Sequence, residues 1–292
     1  MVVFLNGRFL PETEAVVPVS DRGFLYGDGL FETVRVTRGR PFRWDAHLDR
    51  LTRGAAFLKL RLPCPPEELL PAVRRLAEIN AIEDAVLRLT LTRGSGPRGY
   101  SPRGADHPTL VMTLTSAPVG PVPSARVIIS TFRVPAGDPL AAFKTCNKLV
   151  QVLARAEADE RGADEAVLCN SQGEVAEATA SNVFWIRQGT VCTPPVAAGA
   201  LAGVTRGLVL ELCAALGFPT EELTGHPSEL AEAEGIFLTR SVAGVVPVIE
   251  LDRRPVASSP QIARLQAACE AAREGGQFSA SCELPHPSPR TH

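Results

Sequence analysis

Residues 118–124 read PVGPVPS, and no other stretch limits the possible folds as much. Three prolines within six residues fix φ and remove backbone donors, so neither a helix nor a central strand runs through it. A Pro/Gly/Ser segment of this kind reads as an interdomain linker. The chain then folds as two parts, each needing its own core, which 292 residues at 45% hydrophobic content allow. Before the linker, "MVVFLNGRFL" alternates around Asn6-Gly7 and predicts a hairpin. A Gly-rich turn follows, then a strand over Leu30–Val36. "DAHLDRLTRGAAFLKL" carries Leu48, Leu51, Leu58 and Leu60 at helical spacing, with Asp45 as its expected N-cap. "PPEELLPAVRRLAEINA" predicts a second helix, and "AVLRLTLTRGSG" and "HPTLVMTLTSA" predict two strands.

After the linker, "ARVIISTFRV" predicts a strand, and "KTCNKLVQVLARAEADERGA" a long helix. "DEAVLCNSQGEVAEATASNVFWIRQGTVCTPP" predicts several strands. A helix opens at Gly203-Val204-Thr205, two strands flank Ser241–Gly244, and "SPQIARLQAACEAAREGG" predicts the last helix. The expected class is α+β: a small N-terminal domain over 1–117, the linker 118–124, and a larger domain over 125–274. Residues 275–292 form a polar, Pro-rich tail expected to be disordered.

A formal charge of -2 supports neither nucleic acid nor a membrane as partner. The N-terminus lacks the pattern of a signal peptide, and no run approaches the roughly 20 apolar residues of a membrane span. Seven scattered cysteines without a CxxC predict reduced thiols and a cytoplasmic location. Five dispersed histidines argue against a metal centre, so none is expected. Lysine usage is the sharper signal. Of 30 basic residues only Lys59, Lys144 and Lys148 are lysines. A lysine kept where arginine is otherwise used invites chemistry that arginine cannot perform, such as forming a Schiff base.

Around Lys144 the chain offers what a phosphorylated carbonyl cofactor needs. Glu177 lies between predicted strands and is available to a ring nitrogen. Gly203-Val204-Thr205 opens a helix, whose free N–H groups and dipole favour phosphate. Arg50 and Ser241 add polar groups, although Arg50 also has Asp45 and Asp49 nearby as ion-pair partners. Lys148, four residues on, could share a helix face with Lys144. The motifs "DRGFLYGDGLFETVR", "HLDRL", "KTCNKL…ARAEA", "GEVAEATASNVFWI", "TPP…GVTR" and "LTRSVAGVVPV", in this order over residues 1–252, resemble the fold-type IV pyridoxal-phosphate enzymes. That family includes branched-chain and D-amino-acid aminotransferases and 4-amino-4-deoxychorismate lyases. The resemblance implies a D-amino-acid-aminotransferase-like fold with a β-barrel-like larger domain, and pyridoxal 5'-phosphate as cofactor. It implies that Lys144 carries the cofactor and that Glu177 pairs with its pyridine nitrogen. It assigns the phosphate to Arg50, Val204, Thr205 and Ser241.

Within the family, "LTRGSGPRGYS" (Leu91–Ser101), the pattern Phe31 to Arg35 and Arg88 most resemble the lyases. By this resemblance Phe31, Arg88 and Arg98 contact substrate and Thr33 assists near the leaving group. The substrate is then 4-amino-4-deoxychorismate, whose two carboxylates suit bidentate guanidinium contacts. Lys144 acts as general base, pyruvate leaves and 4-aminobenzoate forms, a step toward folate. An aminotransferase acting on D-amino or branched-chain amino acids is the alternative. Arg240 departs from the asparagine common at that place in lyases. The resemblance also implies a homodimer in which the Arg93–Tyr100 loop reaches a neighbouring subunit's site.

Overall fold

In a computed structural model, which describes residues 1–275, the chain forms two sheets with helices packed against them. The first half holds β1 (Val2–Leu5), β2 (Arg8–Pro11), α1 (Arg22–Tyr26), β3 (Gly29–Thr37) and β4 (Arg40–Pro41). It continues with α2 (Trp44–Leu58), α3 (Pro66–Asn80), β5 (Ala85–Ser95) and β6 (His107–Ser116). Its strands make a six-stranded sheet in the order β2-β1-β6-β5-β3-β4. Leu5 pairs with Arg8, so Asn6-Gly7 is the expected two-residue turn, with both residues at positive φ. Leu30, Val34 and Val36 of β3, Leu87, Leu89 and Leu91 of β5, and Leu69, Val73 and Leu76 of α3 fill the core between sheet and helices.

The segment 118–124 carries no regular structure and joins β6 to β7 (Ala125–Val134). The second half continues with α4 (Leu149–Glu160), β8 (Glu165–Asn170), β9 (Val175–Ala178), β10 (Asn182–Arg187) and β11 (Thr190–Thr193). Then come α5 (Val204–Leu216), β12 (Thr220–Glu222), α6 (Pro227–Ala231), β13 (Gly235–Arg240), β14 (Gly244–Leu251), β15 (Arg254–Pro255) and α7 (Pro260–Arg273). The sheet order is β12-β11-β10-β13-β14-β7-β8-β9, with β15 beside β14. β9 lies at one end of that order and β10 close to the other, yet only residues 179–181 separate them. Ala178 N–H donates to Ser181 O across this turn. The sheet therefore curls until β9 comes back against β10, a half-barrel in keeping with the β-barrel-like larger part that the resemblance implies.

Three local expectations are corrected. "DRGFLY" forms the short helix α1, capped by Asp21, whose side chain accepts from Gly23 N–H. Asp45 is not the cap of α2; that position is Arg43, and Asp45 lies in the first turn, where a negative charge favours the helix dipole. The helix expected from Lys144 begins only at Leu149. Residues 144–146 are drawn into the first sheet instead: Phe31 N–H donates to Lys144 O at 2.9 Å, Cys146 N–H donates to Gly29 O at 2.9 Å, and Leu30 bridges Thr145. Lys144 and Lys148 therefore share no helix face. From residue 276 the expected tail lies outside the described residues.

Candidate active site

Side chains alternate across a strand, and β3 uses both of its faces for one site. Phe31 and Thr33 face a cleft that Lys144, Arg88 and Ser241 also line, and the cleft has a volume of about 630 Å³. Arg88 pairs with Thr33 in the β3–β5 register, and its guanidinium lies 3.5 Å from the centroid of the Phe31 ring. On the opposite face, Glu32 is 2% exposed and meets α2. It accepts from Arg50 Nε at 2.8 Å and Nη2 at 2.6 Å, and its Oε2 lies 2.6 Å from His47 Nδ1. Burial pushes the Glu32 carboxyl up, but the hydrogen bonds from Arg50 and His47 outweigh it and hold the group below the usual carboxylate range. Arg50 thus pairs with Glu32, while Asp49 pairs with Arg53. Arg50 Nη1 donates to Ala202 O in the second half at 3.0 Å, and its side chain reaches the same pocket as Lys144 and Thr205.

Lys144 Nζ lies 4.6 Å from the centroid of the Phe31 ring. Burial, reinforced by the nearby Arg50 charge, lowers its pKa from 10.5 to about 8. A free amine is the nucleophile in imine formation, so trapping by aldehyde is expected to follow this pKa. Incubating apoprotein with pyridoxal 5'-phosphate, then borohydride, should give a Lys144 adduct whose formation rate rises through pH 8 and then levels. A midpoint near 10.5 would show an ordinary solvated lysine. Lys148 lines the same pocket and stands at the N-cap of α4.

Opposite Lys144, Glu177 on β9 accepts from Leu201 N–H at 3.0 Å, and Gln151 Nε2 lies 3.5 Å away. Burial raises its pKa above the usual carboxylate value. A carboxyl group with raised proton affinity is suited to share a proton with a basic ring nitrogen. The third wall is the start of α5, where Val204 and Thr205 follow Gly203 and no side chain caps the first turn. Its free N–H groups form an anion site. Gly203 permits a close approach there, since a Cβ at this position would collide with Asn182 Oδ1. Ser241 and Thr239 complete the wall. Thr239 is 3% exposed, and its Oγ1 has no hydrogen-bond partner among the described residues. A buried hydroxyl without a partner is costly unless a ligand supplies one. An amine, a high-pKa carboxyl group and a helix N-terminus beside an orphaned hydroxyl fit the aldehyde, ring nitrogen and phosphate of pyridoxal 5'-phosphate.

The structure brings Lys144, Arg50, Glu177, Val204, Thr205 and Ser241 to one pocket, and Phe31, Thr33 and Arg88 to the adjoining cleft. Arg98 is exposed on its loop and does not line the cleft of its own chain. The loop itself is fixed from below: buried Arg22 donates to Gly99 O at 2.8 Å and Tyr100 O at 3.0 Å, and pairs with Asp28. Sequence reasoning missed Glu32, His47 and Thr239. The pair His47 and Arg50, spaced i, i+3 on α2, was the available signal for a buried acid facing it.

Among the described residues no helix is long and apolar enough to cross a membrane. The family model for class IV amino-transferases matches residues 29–251. A protein of Methanocaldococcus jannaschii, provisionally named a branched-chain-amino-acid aminotransferase, is 37% identical over 88% of this chain and 90% of its own length. D-alanine aminotransferase of Bacillus licheniformis is 34% identical, covering 88% and 91%. Aminodeoxychorismate lyase of Vibrio harveyi is 32% identical, covering 84% and 89%. A solved branched-chain amino acid aminotransferase of T.th., with pyridoxamine 5'-phosphate, superposes with a TM-score of 0.89 at 28% identity, over 94% of this chain and 95% of that one. With that cleft between two sheets and these relatives along nearly the whole chain, the protein belongs to the class IV aminotransferase family, and its cofactor is pyridoxal 5'-phosphate.

Proposed function

We propose that the protein is a 4-amino-4-deoxychorismate lyase, releasing pyruvate and leaving 4-aminobenzoate. The observation that carries this reading is Arg88. Its guanidinium has no acidic partner among the described residues and sits 3.5 Å from the centroid of the Phe31 ring on the wall of the cleft. A pocket for a branched aliphatic side chain gains nothing from a cation on its wall, whereas a ring bearing carboxylates can pair with Arg88. Bound pyridoxal phosphate supplies an electron sink for the carbon that carries the substrate nitrogen. Lys144 Nζ takes the proton from that carbon. Glu177 keeps a proton at the ring nitrogen. The neighbouring ether C–O bond then breaks, pyruvate leaves as its enolate and takes up the proton that Lys144 removed, and the six-membered ring becomes aromatic. In this reading Thr33, beside Arg88 in the strand register, assists that protonation. Arg50, Thr205, the Val204 and Thr205 amides and Ser241 hold the phosphate.

Purified protein should convert aminodeoxychorismate to 4-aminobenzoate. Turnover of D-alanine or L-leucine with 2-oxoglutarate, without lyase activity, would establish the aminotransferase reading instead. The names of the first two relatives favour that second reading.

We also propose a homodimer. Phe24 (77% exposed) of α1 and Tyr100 (86%) are exposed, as are Leu149 (71%) and Val152 (59%) of α4. Tyr100 packs edge-on against Tyr26, and Asn147 donates to Gly27 O, so these elements form one region. Exposed apolar clusters of this kind mark interfaces. Val152 also lines the cleft, so a second copy covering α4 would close the site as well. Reciprocal docking would bring Arg98 of each loop to the other subunit's substrate. Mixing Arg98→Ala with Lys144→Ala protein is then expected to restore activity, because each heterodimer holds one site with neither defect. Mixtures that exchange subunits yet stay inactive would rule out action across subunits.

A further inference from the structure

Arg240 ends β13, opposite Gly244, and stands between Thr239 and Ser241. Its side chain borders three spaces at once. One is the phosphate pocket with Lys144 and Thr205; the second is the cleft with Phe31, Thr33 and Arg88. The third is a cavity of about 930 Å³ under the linker, walled by apolar residues such as Val122, Val242 and Ala267 and by Arg35.

The guanidinium is held rigidly. Nε donates to Ser181 Oγ at 2.7 Å and Nη2 to Glu165 Oε2 at 2.7 Å. Glu165 is 1% exposed and is itself fixed by Ala166 N–H, Thr179 N–H and the Thr179 and Ser181 hydroxyls. These contacts occupy one edge of the guanidinium. The outer edge, with both Nη1 hydrogens, has no partner among the described residues, and the side chain keeps 30% exposure. A residue serving only to neutralise Glu165 has no need of a free, solvent-facing edge where three cavities meet. A guanidinium fixed along one edge presents the other to a planar carboxylate with little further loss of rotamer freedom.

We propose that Arg240 is a specificity-determining residue that receives one substrate carboxylate on the wall formed by β13, while Arg88 on β5, together with Arg98 from the loop of a second subunit, serves the other. This inference rests on the lyase reading, in which the substrate is a dicarboxylate. The site then distinguishes doubly acidic ring substrates from amino acids with a single carboxylate. The apolar linker cavity beyond Arg240 leaves room for the part of the substrate that carries this acid.

The test uses holoenzyme and chorismate, a dicarboxylate with a hydroxyl where the substrate has its amine, so that it binds without reacting. Wild type is compared with Arg240→Gln. Because that change strands the buried Glu165 charge, the double variant Glu165→Gln/Arg240→Gln removes both charges together. In both variants chorismate should bind about tenfold or more weakly by calorimetry, with pyridoxal 5'-phosphate affinity within about twofold of wild type. Unchanged chorismate affinity overturns the role of Arg240. A parallel loss of cofactor affinity also overturns it, making Arg240 a phosphate residue. Wild-type holoenzyme that binds no chorismate at millimolar concentration overturns the lyase reading itself.

Discussion

Lys144→Ala protein should show no measurable turnover. The substitution removes the carbonyl attachment point and the proposed base together. A positioned general base alone contributes roughly 10²–10⁴-fold, so a loss of at least about 10⁴-fold is expected. The phosphate wall is untouched, so the variant should still bind the cofactor non-covalently, with the absorbance of free aldehyde rather than of an imine. The chain suits the experiment because only three lysines compete for label. In wild type, borohydride reduction and mass mapping should place the pyridoxyl group on Lys144. Lys148 is the informative competitor, since it lines the same pocket. A label there, with activity surviving at Lys144→Ala, would transfer the role four residues along. Lys59 is exposed at the C-cap of α2, and Lys59→Ala should be nearly neutral.

The second large effect is expected at a residue that touches no substrate. Glu32→Ala leaves Arg50, 4% exposed, with a buried charge and no carboxylate. Breaking a buried pair by removing one partner costs about 3–5 kcal/mol. For a chain of this size that lowers Tm by on the order of 10 °C. Arg50 would also lose the two contacts that aim it, so cofactor affinity should fall with stability. The pH dependence has a definite sign. Glu32 is held below its ordinary value in the folded protein, so its stabilisation is full above the unfolded pKa of about 4.5 and fades as pH falls through the lower folded value. Thermal melts of wild type and Glu32→Ala should differ most near neutrality, and the gap should narrow as pH falls below the ordinary carboxyl value of about 4.5. A constant gap across that range would mean that the carboxylate charge contributes nothing.

Much of this was legible because local chemistry dictates it. Gly203 before an apolar helical run, Asn6-Gly7 between alternating runs, and the proline-rich break at 118–124 carry their meaning within a few residues. Composition narrowed the reactive amine to three lysines, and the motif resemblance singled out Lys144. What could not be read was set by distant partners. "KTCNKL" has helical neighbours downstream, but hydrogen bonds to Gly29 and Phe31, more than a hundred residues earlier, pull it straight. Arg50 was visible as a cation near the site, yet its partner Glu32 lies on a strand whose orientation depends on the whole sheet. Arg98 was visible in its loop, but within a single chain it is exposed and does not line the cleft.

The stitching of residues 144–146 onto β3 has a consequence for how the protein is made. Synthesis proceeds from the N-terminus, and the six-stranded sheet has all its strands once Ser116 has emerged. At that moment the Phe31 amide and the Gly29 carbonyl still lack the partners they have in the finished protein, and Arg50 Nη1 awaits Ala202. The nascent first half is therefore a nearly complete body with an open seam, and the seam runs through the future cleft. The cleft is sealed only after Ala202 and the start of α5 have left the ribosome, so chemistry is withheld until most of the chain exists.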